Sequence, residues 1–352
     1  MRIRDLGIDP GWLLTPGARN AIIDVPGVRV GHVTRIDGDS IRTGVTAIVA
    51  HGGSLFERKV PAGVASINGF GKATGFEQIR ERGVIETPIV LTNTLNIGRA
   101  SDALIAWMLR DHPRIGIDAG TVCPIVGECN DGFLSDIRGR HIGQDDVWAA
   151  IDGAREDETR EGNVGAGTGT NCFQFKGGIG TASRRILDGR FTVGALVQTN
   201  YGDRAEMRFF GAPIGRHLIE AHMPTPGPGS IMMVLATDAP LDGRQLSRLA
   251  MRAAFALGRT GTVGHDGSGD FAIAFSTANP WDHSPSDAVA SVERFTESGS
   301  INACFTAAVE TVEEAIWNAL VAAETMTGRA GNTLHAIPHE TLLHWWRHYN
   351  PA

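Results

Sequence analysis

The sequence predicts a layered α/β sandwich on three observations: short apolar runs bounded by turn residues, amphipathic patterns of helical period between them, and 45 glycines dispersed through 352 residues. The strands carry the prediction. "GVTAIVA" (44–50), "GVASI" (63–67), "TPIVLTN" (87–93), "FTVGALVQTN" (191–200), "SIMMVLAT" (230–237) and "DFAIAFST" (270–277) read as buried strands. Residues 96–111, 242–261 and 302–325 return apolar side chains at three- and four-residue intervals and read as helices, the first and last with a plausible cap. The order lacks a strict βαβ repeat, which favours a sandwich over a doubly wound sheet. Glycine inside strand-like runs marks tight turns or close backbone approach.

Composition narrows the function classes. No stretch of 18 apolar residues occurs, so the expectation is a globular protein without a membrane span. A net charge of -7 and a pI near 5.9 argue against a nucleic-acid partner and for small, non-polyanionic substrates. The start "MRIRDLGIDPGWLL" has no signal pattern, and Cys123, Cys129, Cys172 and Cys304 lack CxxC spacing, so they read as small buried hydrophobes in a reducing, cytoplasmic compartment.

Two glycine-rich stretches invite a phosphate-binding reading. "VASINGFGKATGFEQIRERG" (64–83) places Gly69, Gly71 and Gly75 between a strand-like run and a helix, but as GxGxxxG it departs from the dinucleotide fingerprint, and the plainer reading is a tight turn with close packing. "GAGTGTNCFQFKGGIGTASRR" (165–185) lacks the GxxxxGK[ST] of a P-loop. It reads either as a backbone nest for an oxyanion or as a hairpin with a glycine turn.

GxSxG and HExxH are both absent, and the histidines show no ligand spacing on one helix face. What remains is "PTPGPGSIMMVLATDAP" (224–240), where a stiff Pro/Gly stretch ends at Ser230 on the threshold of a buried strand. By composition the stretch is a linker between domains. A second reading is chemical: cutting Gly229–Ser230 gives Ser230 both a hydroxyl and a free α-amine, whose reference pKa of about 7.7–8.0 suits a general base. Glycine at 229 removes the Cβ from the path of attack.

"GSIMMVLATDAPL" and "GHDGSGDFAIAFSTAN" (264–279), with "NAIIDVPGVRVGHVT" (20–34), "NGFGK" (68–72), "IETPIVLTNTLNIG" (85–98), "DGFLSDIRG" (131–139), "FKGGIGTASR" (175–184) and "VQTNYG" (197–202), resemble the DmpA-type L-aminopeptidase/D-esterases and β-peptidyl aminopeptidases, autoprocessing serine hydrolases of family S58. The resemblance runs nearly end to end. It implies a single domain over 1–352 with a four-layer αββα sandwich like that of DmpA and ornithine acetyltransferase, self-cleaved at Gly229–Ser230 into interlocked chains 1–229 and 230–352. Carried over by position, it implies that Ser230 is the nucleophile, that Ser268 and Asp270 orient its hydroxyl and amine, and that Asn200 donates to the oxyanion. Some relatives carry Glu where this chain has Asp270. Glu128 in "VGECNDG" matches a carboxylate that pairs with the substrate's amino group, and Asn130 stands where some relatives place an oxyanion-hole tyrosine.

The expected function is therefore an N-terminal-serine aminopeptidase or amidase. It releases an N-terminal residue from small peptides, amides or esters through an acyl-enzyme on Ser230, with no metal or organic cofactor. The resemblance further implies a homo-oligomer, a tetramer of processed pairs. Two rivals are an amidase for ω-amino-acid-type amides or an acyltransferase of the same fold, disfavoured because ornithine acetyltransferases generally use an N-terminal threonine, and an unprocessed small-ligand-binding protein.

Overall fold

Apolar runs without polar alternation demand cover on both faces. The computed structural model, which describes residues 1–219 and 229–351, supplies it with two stacked sheets flanked by helices. One four-stranded sheet has the order β1 (Arg29–Asp37), β2 (Ile41–Val49), β5 (Ile89–Asn93), β6 (Ile125–Cys129). The larger, seven-stranded sheet runs β13 (Trp281–Asp282), β3 (Arg58–Gly69), β12 (Gly269–Ser276), β11 (Ser230–Thr237), β10 (Phe191–Asn200), β9 (Ile179–Ile186), with β4 (Val84–Ile85) beside β3. A short hairpin, β7 (Asn171–Cys172) and β8 (Phe175–Lys176), stands apart from both.

Strand β11 shows how the layers are held. All eight of its residues are buried. Met232, Val234 and Ala236 join the core between the sheets, while Ile231, Met233 and Leu235 join the core between the large sheet and its helices. Full burial of each Met, Val, Ile or Leu among them contributes about 1.5–3 kcal/mol. Helices α2 (Ile97–Asp111) and α3 (Gln144–Asp152) pack on the small sheet, and α4 (Gly243–Ala250) and α6 (Ile301–Val321) on the large one, with α5 (Ala253–Thr260) against α6. The short α1 (Phe76–Arg82) lies beside β3, and α7 (His339–Tyr349) sends Leu342 into the helix-side core. The architecture is the expected αββα sandwich.

Several element boundaries differ from the sequence expectation. The 242–261 pattern divides into α4 and α5, because Arg252 N–H bonds Leu249 O and Phe255 N–H bonds Arg252 O, an i to i−3 tightening that breaks the α-helical ladder. The firmest cap lies here: Asp242 accepts from Gln245 N at 2.7 Å and Gln245 Oε1 accepts from Asp242 N at 3.0 Å. Neither Asn96 nor Ser300 makes a side-chain cap bond to its helix. The 302–325 pattern stops at Val321, since Asn163 takes both the N–H and the C=O of Glu324 and draws that segment away. Two of the three buried acids in α6 are explained by Arg184 of β9, which reaches Glu310 at 2.8 Å and Glu314 at 2.6 Å inside the helix-side core, and the third, Glu313, by Arg259 at 2.9 Å.

The prolines of 224–228 lie outside the described residues. Strands on both sides of that stretch, β10 and β11, pair antiparallel in one sheet.

Candidate active site

Strand ends gather the chemistry at one edge of the sandwich. Ser230 begins β11, Asn200 ends β10 opposite it, and Gly269 begins β12 beside it on the other flank. Directly opposed residues of an antiparallel pair share a face, so the Asn200 and Ser230 side chains lie on the same side of the sheet. Alternation identifies that side as the one carrying Met232 and Val234, which faces the small sheet.

At Gly229 the backbone passes so close to its neighbour that a Cβ would lie 2.6 Å from Tyr201 Cα and 2.7 Å from Asn200 O. Only glycine fits. Its carbonyl accepts from Gly269 N at 3.3 Å, so the bond preceding Ser230 is held by the strand ladder. Ser230 is 6% exposed, and among the described residues its hydroxyl has no hydrogen-bond partner.

Ser268 and Asp270 flank Gly269, and Ser268 Oγ donates to Asp270 Oδ1 at 2.6 Å. The two are brought together, but neither hydrogen-bonds to Ser230. Parallel register sets Asp270 beside Ile231, on the face opposite the Ser230 side chain. Burial raises the Asp270 pKa, and the Ser268 bond and nearby His265 oppose the rise. A bulge at this point in the β3–β12 ladder marks a local change of register.

Glu128, next to last in β6, reaches this edge through the 68–74 loop. That loop leaves β3 in the large sheet and runs along β6 in the small one, with Thr74 N bonded to Val126 O at 2.9 Å. A Cβ on Gly71 would meet Phe271 Cε2 at 2.8 Å, Gly269 Cα at 3.1 Å and Glu128 Oε1 at 3.3 Å, so Gly71 lets the loop pass between Ser230's neighbour and the carboxylate. Glu128 accepts from Lys72 N at 3.0 Å and from Thr94 Oγ1. Burial raises its pKa, and those two bonds oppose the rise.

The buried carboxylates divide into two groups. Glu86, Asp146, Glu310, Glu313 and Glu314 each pair with a Lys or Arg nitrogen at 2.6–3.0 Å. Glu128, Asp131 and Asp270 have no such partner among the described residues. All three unpaired acids lie at or just beyond strand ends of this one edge. Asp131 accepts from Asn93 Nδ2 at 3.2 Å, and burial pushes its pKa up to about 7.

Because the folded protein then holds a proton on Asp131 that the unfolded chain has lost, this group lowers stability as pH rises from about 4 to about 7. The melting temperature of Asp131→Asn minus that of the parent should therefore climb across that window, by the equivalent of on the order of a few kcal/mol. A flat difference overturns it. Scanning calorimetry at four pH values decides.

Other expected residues are placed as follows. Asn130 is exposed at the end of β6, with its Oδ1 bonded to Gly132 N at 2.8 Å. Gly75, at φ +81°, precedes the seven-residue α1, and Gly71 serves close packing, so the 64–83 stretch is a turn with tight contacts. The 165–185 stretch does form a hairpin, but glycine does not make its turn: Phe173 and Gln174 do, at φ +50° and +61°. All four cysteines are free, with Cys123 half-buried and the other three buried. Sequence reasoning missed Asp131, Thr94 and Asn171, and read Gly71 as close packing without the partners it packs against. The glycine pair of "NGFGK" was the available signal for Gly71, whereas nothing local distinguishes Asn171.

No helix among the described residues is long and apolar enough to cross a membrane. The model of peptidase family S58 matches residues 20–334. β-Peptidyl aminopeptidase BapA of Sphingosinicella microcystinivorans is 42% identical over 97% of this chain and 90% of its own length. The PH0078 protein of Pyrococcus horikoshii OT3 superposes with a TM-score of 0.94 at 48% identity over 99% of each chain. The L-aminopeptidase D-Ala-esterase/amidase of Ochrobactrum anthropi, described as a prototype for the serine aminopeptidases and a new variant of the Ntn hydrolase fold, superposes at 0.92 with 40% identity over 99% of each chain. Fold, motif order and end-to-end similarity agree: this chain belongs to peptidase family S58, as an aminopeptidase with the Ntn hydrolase type of fold.

Proposed function

We propose that the chain cuts itself at Gly229–Ser230, leaving 1–229 and 230–352 as interlocked chains of one domain, and that the new Ser230 terminus removes N-terminal residues from small peptides, amides and esters. In the first step Ser230 Oγ attacks the Gly229 carbonyl. The peptide C–N bond gives way to an ester, the α-nitrogen takes up the proton, and water then hydrolyses the ester. In turnover the freed amine takes the proton of its own hydroxyl as Oγ attacks the substrate carbonyl, and the substrate's C–N or C–O bond breaks as that proton passes to the leaving amine or alcohol. Water, deprotonated by the same amine, then splits the Ser230 ester to release the N-terminal residue and restore the hydroxyl. Asn200 donates to the developing oxyanion from the same face, and Asn130 presents Nδ2 at the rim. Ser268 and Asp270 hold the amine end.

Glu128 anchors the substrate ammonium. The single observation that carries this reading is its burial with no Lys or Arg nitrogen in ion-pair contact among the described residues, Lys72 acting on it only from beyond that distance, since a carboxylate removed from water at such cost is balanced by a positively charged ligand. The substrate class is supported by the relatives' activities on β-peptidyl and on D-Ala ester and amide bonds. We also propose a cytoplasmic homo-oligomer, a tetramer of processed pairs, for which the free cysteines and the family likeness are the support.

Intact mass spectrometry of active protein tests the reading. Two chains, one beginning SIMMV, are expected, and an active uncut chain overturns it.

A further inference from the structure

An oxyanion donor is useful only if its donor end faces the reacting oxygen, and a carboxamide turned by 180° presents an acceptor instead. Asn200 has this problem, and the structure contains an answer to it. Asn200 Oδ1 accepts two hydrogen bonds from a single residue, from Asn171 Nδ2 at 2.8 Å and from the Asn171 backbone N at 3.2 Å. A backbone N–H can only donate, so the atom facing it must be the oxygen, and Nδ2 takes the opposite branch.

We infer that Asn171 is a positioning residue that locks the Asn200 carboxamide with its nitrogen available to the acyl oxygen on the Ser230 face. This rests on the Asn200 role proposed above and adds the group that makes the role possible.

Asn171 is itself held rigidly. It opens the β7–β8 hairpin and pairs with Lys176 across it. The fully buried Lys176 ammonium donates to the carbonyls of Gly167 at 3.0 Å, Thr170 at 2.9 Å and Gly177 at 2.7 Å, tying both flanks of the hairpin to one point. A Cβ on Gly177 would lie 2.5 Å from Asn171 C, so the chain passes directly against the residue it fixes. Cys172 bridges to Tyr201, the neighbour of Asn200, which aligns hairpin and strand end. The left-handed pair Phe173 and Gln174 closes a turn too short to drift.

The test uses the full chain, with the cut fraction read by intact mass and kcat expressed per cut chain. Asn171→Asp replaces the side-chain donor by an acceptor of the same shape, which repels Asn200 Oδ1 and draws its Nδ2, against the backbone N–H that remains, and so unlocks the Asn200 amide. Its kcat on an aminoacyl p-nitroanilide should fall about 10²-fold while KM stays within about threefold, because the ammonium anchor is untouched. Asn171→Ala keeps the backbone donor and should lose about tenfold, and it decides the question by the same readouts if Asn171→Asp does not fold. In an Asn200→Ala background, itself down about 10²–10³-fold, either change should cost less than about twofold more. A merely structural role would lower the cut or folded fraction and leave kcat per cut chain alone.

If Asn200→Ala is impaired while both Asn171 variants keep parental kcat, or if the losses simply multiply, the positioning role is overturned and the proposed function stands. If Asn200→Ala is itself unimpaired, the oxyanion assignment falls and the positioning role falls with it.

Discussion

Ser230→Ala should run on a denaturing gel as one band at the full 37.5 kDa, where the parent gives two shorter ones, and its hydrolysis of aminoacyl amides should fall by about 10⁴-fold or more. Two losses coincide. Without Oγ no ester can form at the Gly229 carbonyl, so the α-amine that is to act as base is never released; and the acyl-enzyme has no atom to form on. The fold should survive, because among the described residues Ser230 Oγ has no hydrogen-bond partner to leave unsatisfied and its strand pairs through the backbone with Asn200 and Gly269. Intact circular dichroism with a single uncut chain is thus the expected pair of results. Two chains, or undiminished hydrolysis, would remove Ser230 from both steps.

What could be read from sequence was whatever one segment decides by itself. The run 230–237 states its burial in eight letters, and 191–200 does the same, so both strands fall where their composition puts them. Residues 29–37 went unread because β1 is a half-exposed edge strand, with "RVGHVTRID" mixing polar and apolar positions too irregularly to stand out. β6 went unread for the opposite reason: "IVGEC" is short and interrupted by a glycine that makes room for Met232 of the other sheet.

The same boundary divides the site. Ser230, Ser268, Asp270, Asn200 and Glu128 were identified by motif resemblance, and they come to one edge of the sandwich. The physical reasons for their arrangement are long-range, and no local sequence signal names the partners involved. Gly71 works by fitting between Gly269 and Glu128, and Asn171 by meeting Asn200 from a separate hairpin 29 residues earlier. That Glu128 has no ion pair among the described residues is a property of the packed molecule, visible only once the paired carboxylates of α6 are seen for comparison.

That missing ion pair makes Glu128→Gln the most discriminating substitution. Glutamine keeps the shape: its Oε1 accepts from Lys72 N, and its Nε2 can donate to Thr94 Oγ1, so no buried group is orphaned. On substrates with a free amino terminus kcat/KM should fall roughly 10²–10³-fold, within the 2–5 kcal/mol that loss of one partner of a buried charge pair costs. The matching substrate with hydrogen in place of the amine should be turned over as by the parent, collapsing the preference between the two. Stability should move the other way. Burial raises the Glu128 pKa, so the folded state holds its proton to higher pH than the unfolded chain, and the penalty for ionising it is full above the folded pKa and absent below the unfolded one. The variant should therefore melt higher than the parent near neutral pH, with the gain vanishing as the pH falls below about 4. A more stable and less active enzyme is the signature of a carboxylate kept for its ligand. Retention of the parental preference for free amines in Glu128→Gln would place the ammonium elsewhere, leaving Asp131 and Asp270 as the remaining unpaired acids at that edge.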